Sequence, residues 1–269
     1  MKLYKEDYNV ISDNDRKLWE ELKEKEIIYQ NGQPTKIKRS RRKEYPKAVR
    51  HFLSVFPNNF IDFVDIVLDG EELLKKLTGF ETLIDENTIT ERTILEFINK
   101  DEAYFIIASI LKNRFPFGHL TLYLFPEFKL PPNFQADYLL IGENSMGYHF
   151  VFVELENPCK RITHNDGSYG ETIIKGLNQI NDWELWLEQN FSNLSLLFEQ
   201  HKKPGNVLTN EFRQFDATRI HFAVVAGRRS DYNEKTYRLN RKELERKRHI
   251  LHYDNLIDYS KKVIGQLTD

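Results

Sequence analysis

The chain holds 269 residues, 40% apolar and 13% aromatic, with 39 basic side chains against 41 acidic ones and a formal net charge of −2. That much apolar material fills one large core, or a core with a smaller module attached, so a disordered or fibrous chain is excluded. One cysteine, Cys159, rules out an intrachain disulfide and a cysteine-built zinc site, and the balanced charge gives no overall sign of a nucleic-acid binder.

Residues 1–21 lack the uninterrupted apolar stretch of a secretory leader, and no run of about 18 apolar residues is present to span a bilayer. A cytoplasmic protein with no membrane partner is expected. In chain order, a charged helix is predicted over 14–25, then a turn at Asn31-Gly32-Gln33-Pro34. Residues 36–50 form a basic tract with a single acid, and Arg39, Arg41 and Arg42 lie within it. Such a tract either grips phosphates or forms a solvated face, and a second one follows at 237–249. Apolar-rich segments over 52–77 complete an N-terminal module, residues 1–85, mainly helical or α+β, ending in the polar turn at 85–88.

A second unit is expected over 90–269. Thr90 is a helix N-cap with Thr93 in the first turn, and Ile94, Phe97 and Ile98 begin an apolar stripe that continues through 104–111 as one or two amphipathic helices. Residues 126–134 read as a proline-rich connector. The text then changes to a period of two: strands over 136–142 and 148–157 are separated by a hairpin loop ending at Gly147, and Pro158 stops the second strand. A helix over 169–190, a strand over 220–227 and a helix over 255–267 follow. The order helix, strand, strand, helix, strand, helix is an α/β layering with a mostly buried sheet.

Alternation along 148–157 puts Glu154 and Glu156 on one face and Val153 and Leu155 on the other. With the hairpin centred near Ser145 and Met146, Asp137 falls opposite Glu154, their Cβ atoms about 4.5–5.5 Å apart. Acids so close raise one another's pKa unless a cation intervenes, and hard oxygen donors suit Mg2+ or Mn2+. The alternative is a strand end fraying into solvent, where acids are ordinary. Lys175 and Gln179, one turn apart on the next helix and off its apolar stripe, add a cation and an amide, as a phosphodiester site requires.

At these residues a resemblance emerges. ADYLLIG, YHFVFVELENPCKRIT and NQINDWELW, followed in order by IHFAVVAGRR and LHYDNL, resemble the C-terminal nuclease domain of Shedu anti-phage defence proteins, a branch of the PD-(D/E)xK nuclease superfamily. The resemblance covers roughly residues 90 to 269. It implies a restriction-endonuclease-like α/β core, a central mixed sheet flanked by helices, performing metal-dependent hydrolysis of DNA with Mg2+ or Mn2+. It further implies phage or plasmid DNA as partner and a homo-oligomer. By this resemblance Asp137 is the acid of the first core strand, Glu154 the acid of the second and Gln179 the glutamine of the following helix.

The chain departs from the superfamily pattern at Glu156, which stands where a lysine is usual. A carboxylate cannot supply that lysine's charge to the phosphate. Glu156 is therefore expected to act as a base or a further metal ligand beside Asp137 and Glu154, while Lys160 or Lys175 provides the cation. Arg228 and Arg229, just beyond the strand at 220–227, join Lys160, Arg39, Arg41 and Arg42 as candidate phosphate contacts. His164 and Asp166 read as turn chemistry, and Trp183 and Trp186 as packing. No Walker-type loop is present, so no nucleotide cofactor is expected. Two other classes stay open: a non-cleaving nucleic-acid binder or scaffold in which the acids are remnants, and a hydrolase of small phosphate esters.

Overall fold

The alternating hairpin and the apolar runs that follow it are satisfied together by one five-stranded sheet. The computed structural model describes residues 3–38, 40–62, 66, 69–117 and 121–265, so Arg39 lies outside the described residues. Helix α1 (Asp13–Lys25) leads into a small hairpin, β1 (Ile27–Gln30) and β2 (Gln33–Lys38), turned at Asn31 and Gly32, and then into α2 (Pro46–Leu53) and α3 (Gly70–Ile84). Helices α4 (Glu91–Lys100) and α5 (Phe105–Arg114) precede strands β3 (Thr121–Leu130), β4 (Phe134–Asn144) and β5 (Gly147–Leu155). The long α6 (Glu171–His201) crosses to β6 (Ile220–Val225), and α7 (Glu234–Leu244) crosses to β7 (Arg248–Leu251) before α8 (Tyr253–Val263).

Strand order is β3-β4-β5-β6-β7; β3, β4 and β5 are antiparallel neighbours, whereas β5, β6 and β7 run parallel. Parallel neighbours need long crossovers, and α6 and α7 supply them. The sheet is apolar on both faces. Tyr138, Leu140, Val151, Val153 and Leu155 pack against residues of α3, α4, α5 and α8; Leu139, Ile141, Phe150 and Phe152 pack against α6, with Trp19 of α1 and Val49 of α2. Among the described residues no helix is long and apolar enough to cross a membrane.

Several expectations are met closely. Helix α1 starts one residue earlier than expected, Thr90 and Thr93 form a capping box at α4, and the hairpin turns at residues 145–146. Others are corrected. Residues 126–130 are not a connector but the second half of β3; with β4 as its one ladder partner among the described residues, β3 tolerates Pro126 because an edge position can do without one ladder N–H. Helix α5 is not amphipathic, since every residue from Phe105 to Leu111 is buried. Helix α6 runs eleven residues beyond Asn190, and Phe191, Leu194 and Phe198 prolong its buried stripe. Asn190 keeps its place in the helix by donating its side-chain amide to the Trp186 carbonyl. Helix α7 and strand β7 arise from the second basic tract. The C-terminal helix begins at Tyr253, two residues before the expected start, capped by His252.

Gly176 sets how closely α6 lies on the sheet: a Cβ there would stand 2.7 Å from Val224 Cγ1 and 3.4 Å from Glu156 Cγ. Alanine is favoured over glycine inside a helix by about 1 kcal/mol. Overpacking a buried β-branched neighbour costs about 1–3 kcal/mol, so the clash wins. Gly176→Ala is expected to lower the thermal midpoint, and an equal or higher midpoint in a melting experiment would show that the helix has slack.

Candidate active site

Asp137 on β4, Glu154 on β5 and Glu156 just past the end of β5 meet on the face covered by α6. The β4–β5 register pairs Tyr138 with Val153, and one further step sets Asp137 opposite Glu154. There the ladder gives way to the side chain: Asp137 Oδ2 accepts the Leu155 backbone N–H at 2.7 Å. On the other side of β4, pairing with β3 skips from Pro126–Tyr138 to Phe128–Ala136, and the intervening Glu127 has a φ of 48°. The Asp137 segment is thus released from regular pairing on both sides. Glu156 is fixed through its backbone, its N–H donating to the Val225 carbonyl at 2.8 Å and its carbonyl accepting from the buried Tyr253 hydroxyl at 2.8 Å.

Both glutamates are deeply buried, Glu154 with 5% and Glu156 with 2% of its surface exposed, while Asp137 is half-buried. Glu154 Oε2 and Glu156 Oε1 have no hydrogen-bond partner. Burial pushes the Asp137 carboxyl well above the ordinary range, the Leu155 N–H opposes this, and the charges of Glu91 and Glu156 add to it. Burial raises Glu154 further still, with Asp137 and Glu156 repelling its charged form. Glu156 is raised by burial too, but Lys175 holds it down through a hydrogen bond of 3.0 Å from Nζ to Oε2. The same ammonium stands 3.6 Å from Glu91 Oε1, and although burial pulls its pKa down, the hydrogen bond to Glu156 and the charges of Glu156, Glu91 and Glu154 together raise it above the ordinary value. Lys175 is therefore a charged donor gathered onto two acids.

Residues 88–257 match the family described as Shedu protein SduA, C-terminal. The chain belongs to this family. No curated protein matches it. Membership implies a role in anti-phage defence, and the Shedu match runs from just before α4 into α8, embracing every group of the acid cluster. Glu91 is one such group that sequence reasoning overlooked. Its signal was faint: an acid immediately after the Thr90 cap reads as ordinary charge complementarity to a helix N-terminus.

The remaining candidates are dispersed. Gln179 lies on α6 one turn beyond Lys175, and both line an open groove of about 670 Å3 against the turn between β3 and β4. Lys160 is exposed in the turn after β5, where its charge helps to lower Glu156. Arg228 and Arg229 stand at the end of β6 as expected, and each is ion-paired with acids of the chain. Arg228 forks onto Asp254 at 2.9 and 3.2 Å and also reaches Asp85 and the Ile84 carbonyl, while Arg229 pairs with Asp258. In this arrangement Arg228 clamps the end of α3 to the first turn of α8, and Arg229 is tied to α8. In the N-terminal tract, Arg41 pairs with Glu44 at 2.8 Å and Arg42 stands 3.8 Å from Asp62; both lie outside the Shedu match. Asp166 caps its own turn at Ser168, and Trp183 is fully buried, as the packing reading expects.

A raised carboxyl pKa has a definite sign in stability. Between the ordinary glutamate value of 4.5 and the higher native one, the folded state holds a proton that the unfolded chain has lost, so stability falls as pH rises through that window. Glu154→Gln, a neutral isostere, is expected to raise the thermal midpoint in EDTA, by little at pH 5 and increasingly toward pH 8. The gain at pH 8 should exceed about 1.4 kcal/mol, the equivalent of one unit of pKa shift. A difference independent of pH would mean that Glu154 ionises normally.

Proposed function

We propose that this Shedu-family chain is a metal-dependent nuclease with a PD-(D/E)xK-like centre, hydrolysing phosphodiester bonds in DNA as its part in anti-phage defence. The observation that carries the reading is the convergence of Asp137, Glu154 and Glu156 on one buried face, with two carboxylate oxygens left without a partner. Buried charges of one sign are retained where a cation is to be held, because they otherwise cost stability. The donor chemistry fits Mg2+ or Mn2+ through Asp137 and Glu154. Among the described residues no three such side chains are drawn together closely enough to hold an ion as they stand. When bound, the ion polarises the scissile phosphate and lowers the pKa of a water.

Everything else falls to the chain's own groups. Glu156 Oε1, unpartnered and beside the ammonium of Lys175, takes the proton of the attacking water, and Oε2 stays on Lys175 so that the carboxylate keeps its orientation. Lys175 arrives from α6 instead of from β5, and places next to Glu156 the positive charge that the superfamily's lysine would carry at that position. Once the phosphate is present it shares that charge with the developing negative oxygens. Gln179, one turn on, orients the nucleophile or the phosphate from the groove side.

The competing reading is a binder that has lost catalysis, favoured by the glutamate at the lysine position. Cleavage of supercoiled plasmid separates the two. Asp137→Asn and Glu154→Gln should each abolish nicking with circular dichroism unchanged, and EDTA should do the same to the parent. Glu156→Ala and Lys175→Ala should each slow it by about 100-fold or more, the usual worth of a positioned acid–base group. Parental rates in the Asp137 and Glu154 variants would remove the acids from the mechanism, and no cleavage by the parent with either metal would favour the binder.

A further inference from the structure

The groove beside the acids has a chemical character that the cleavage reaction does not explain. Four carboxamides line it: Asn133 and Gln135 from the β3–β4 turn and the start of β4, and Asn178 and Gln179 from α6. Among the described residues none of these side chains makes a hydrogen bond within the protein. Phe134 stands between the first two, with part of its ring surface in the groove and the rest packed on the core below α6. The charges decide what such a surface can receive. Glu171 and Asp182 oppose a single lysine, Lys175, so the groove carries a net negative formal charge and repels a phosphate backbone laid along it.

We propose that the groove receives an unpaired nucleobase, held edge-on by the carboxamides and against Phe134, while its phosphate faces Lys175 and the acids. The inference rests on the nuclease reading and deepens it by naming the form of the substrate. A carboxamide is both donor and acceptor and pairs in two-point fashion with adenine at N6 and N7, which makes adenine the favoured base. An aromatic ring supplies a stacking surface that tolerates any base. Base edges and ring faces are open together only in an unpaired strand, so the groove selects single-stranded or locally melted DNA over an intact duplex.

The test is equilibrium binding, by fluorescence anisotropy in EDTA, of labelled oligo-dA, oligo-dT and their duplex to the full chain carrying Glu154→Gln. Oligo-dA should bind about tenfold more tightly than oligo-dT, the value of one two-point base contact, and more tightly than the duplex. Adding Gln135→Ala and Asn178→Ala, neither of which is assigned to the chemistry, should erase the dA preference with circular dichroism and melting unchanged. Equal binding of the two homopolymers, tighter binding of the duplex, or a preference that survives the double substitution would overturn the proposal. A dA preference sensitive to these substitutions in a protein that cuts nothing would leave the groove standing and end the nuclease reading. Cleavage without the preference would do the reverse.

Discussion

Helix α6 can work on the sheet only because it approaches without a side chain at Gly176. That gap lets the helix settle onto Val224 and Glu156, and the preceding residue then delivers its ammonium to the one buried carboxylate that it can reach. The rest of the site is arranged around this contact. Gln179 follows one turn later on the same surface of the helix, and the groove opens between the helix and the start of β4. Lys175 rides on a 31-residue helix packed along its length, so the rigidity of that helix, not a strand's short backbone tether, sets where its ammonium stands.

The acids illustrate a compromise between folding and chemistry. A buried strand end would be more stable with neutral or apolar side chains, and each carboxyl answers by holding its proton more tightly. Of the three strand acids, Glu156 alone has a cationic partner among the described residues, the Lys175 ammonium that it shares with Glu91. Asp137 is instead held by a main-chain N–H, a contact that costs β4 and β5 one regular ladder bond and fixes the carboxylate's direction without neutralising it. Strain in the opposite strand at Glu127 adds to the same local exemption from regular sheet geometry.

Much of this was readable in the residues, because the relevant signals are local. Two alternating strands with a tight turn fix their own register, and that register alone sets Asp137 opposite Glu154. The Thr90 cap likewise announces itself. What escaped depends on distant partners. The strand through Pro126 was hidden because proline is admissible only at an edge, and edge status is a property of the sheet. Helix α7 has one buried residue, Thr236, and so no apolar stripe to betray it. Arg228 and Arg229 looked like free cations because Asp254, Asp258 and Asp85 lie far away in the chain, and Glu91 meets Lys175 only after α4 and α6 have both docked. The end of α6 was different: its stripe continues through Phe198, but polar residues around Asn190 weaken helix propensity and suggested a stop.

The covering of β3 has a consequence for the whole architecture. Phe60 bridges to Tyr123 and the Ile61 N–H donates to the Leu122 carbonyl, so a segment from the first quarter of the chain lies along the outer rim of the sheet. An open rim is a template for strand addition by any chain that collides with it. With these residues in place, part of that template is already occupied, and Trp19, Val49 and Phe80 seal apolar surface on both sides of the sheet. A fragment beginning at Thr90 would keep every acid of the site yet bare both the rim and the core, and its first tendency would be to aggregate.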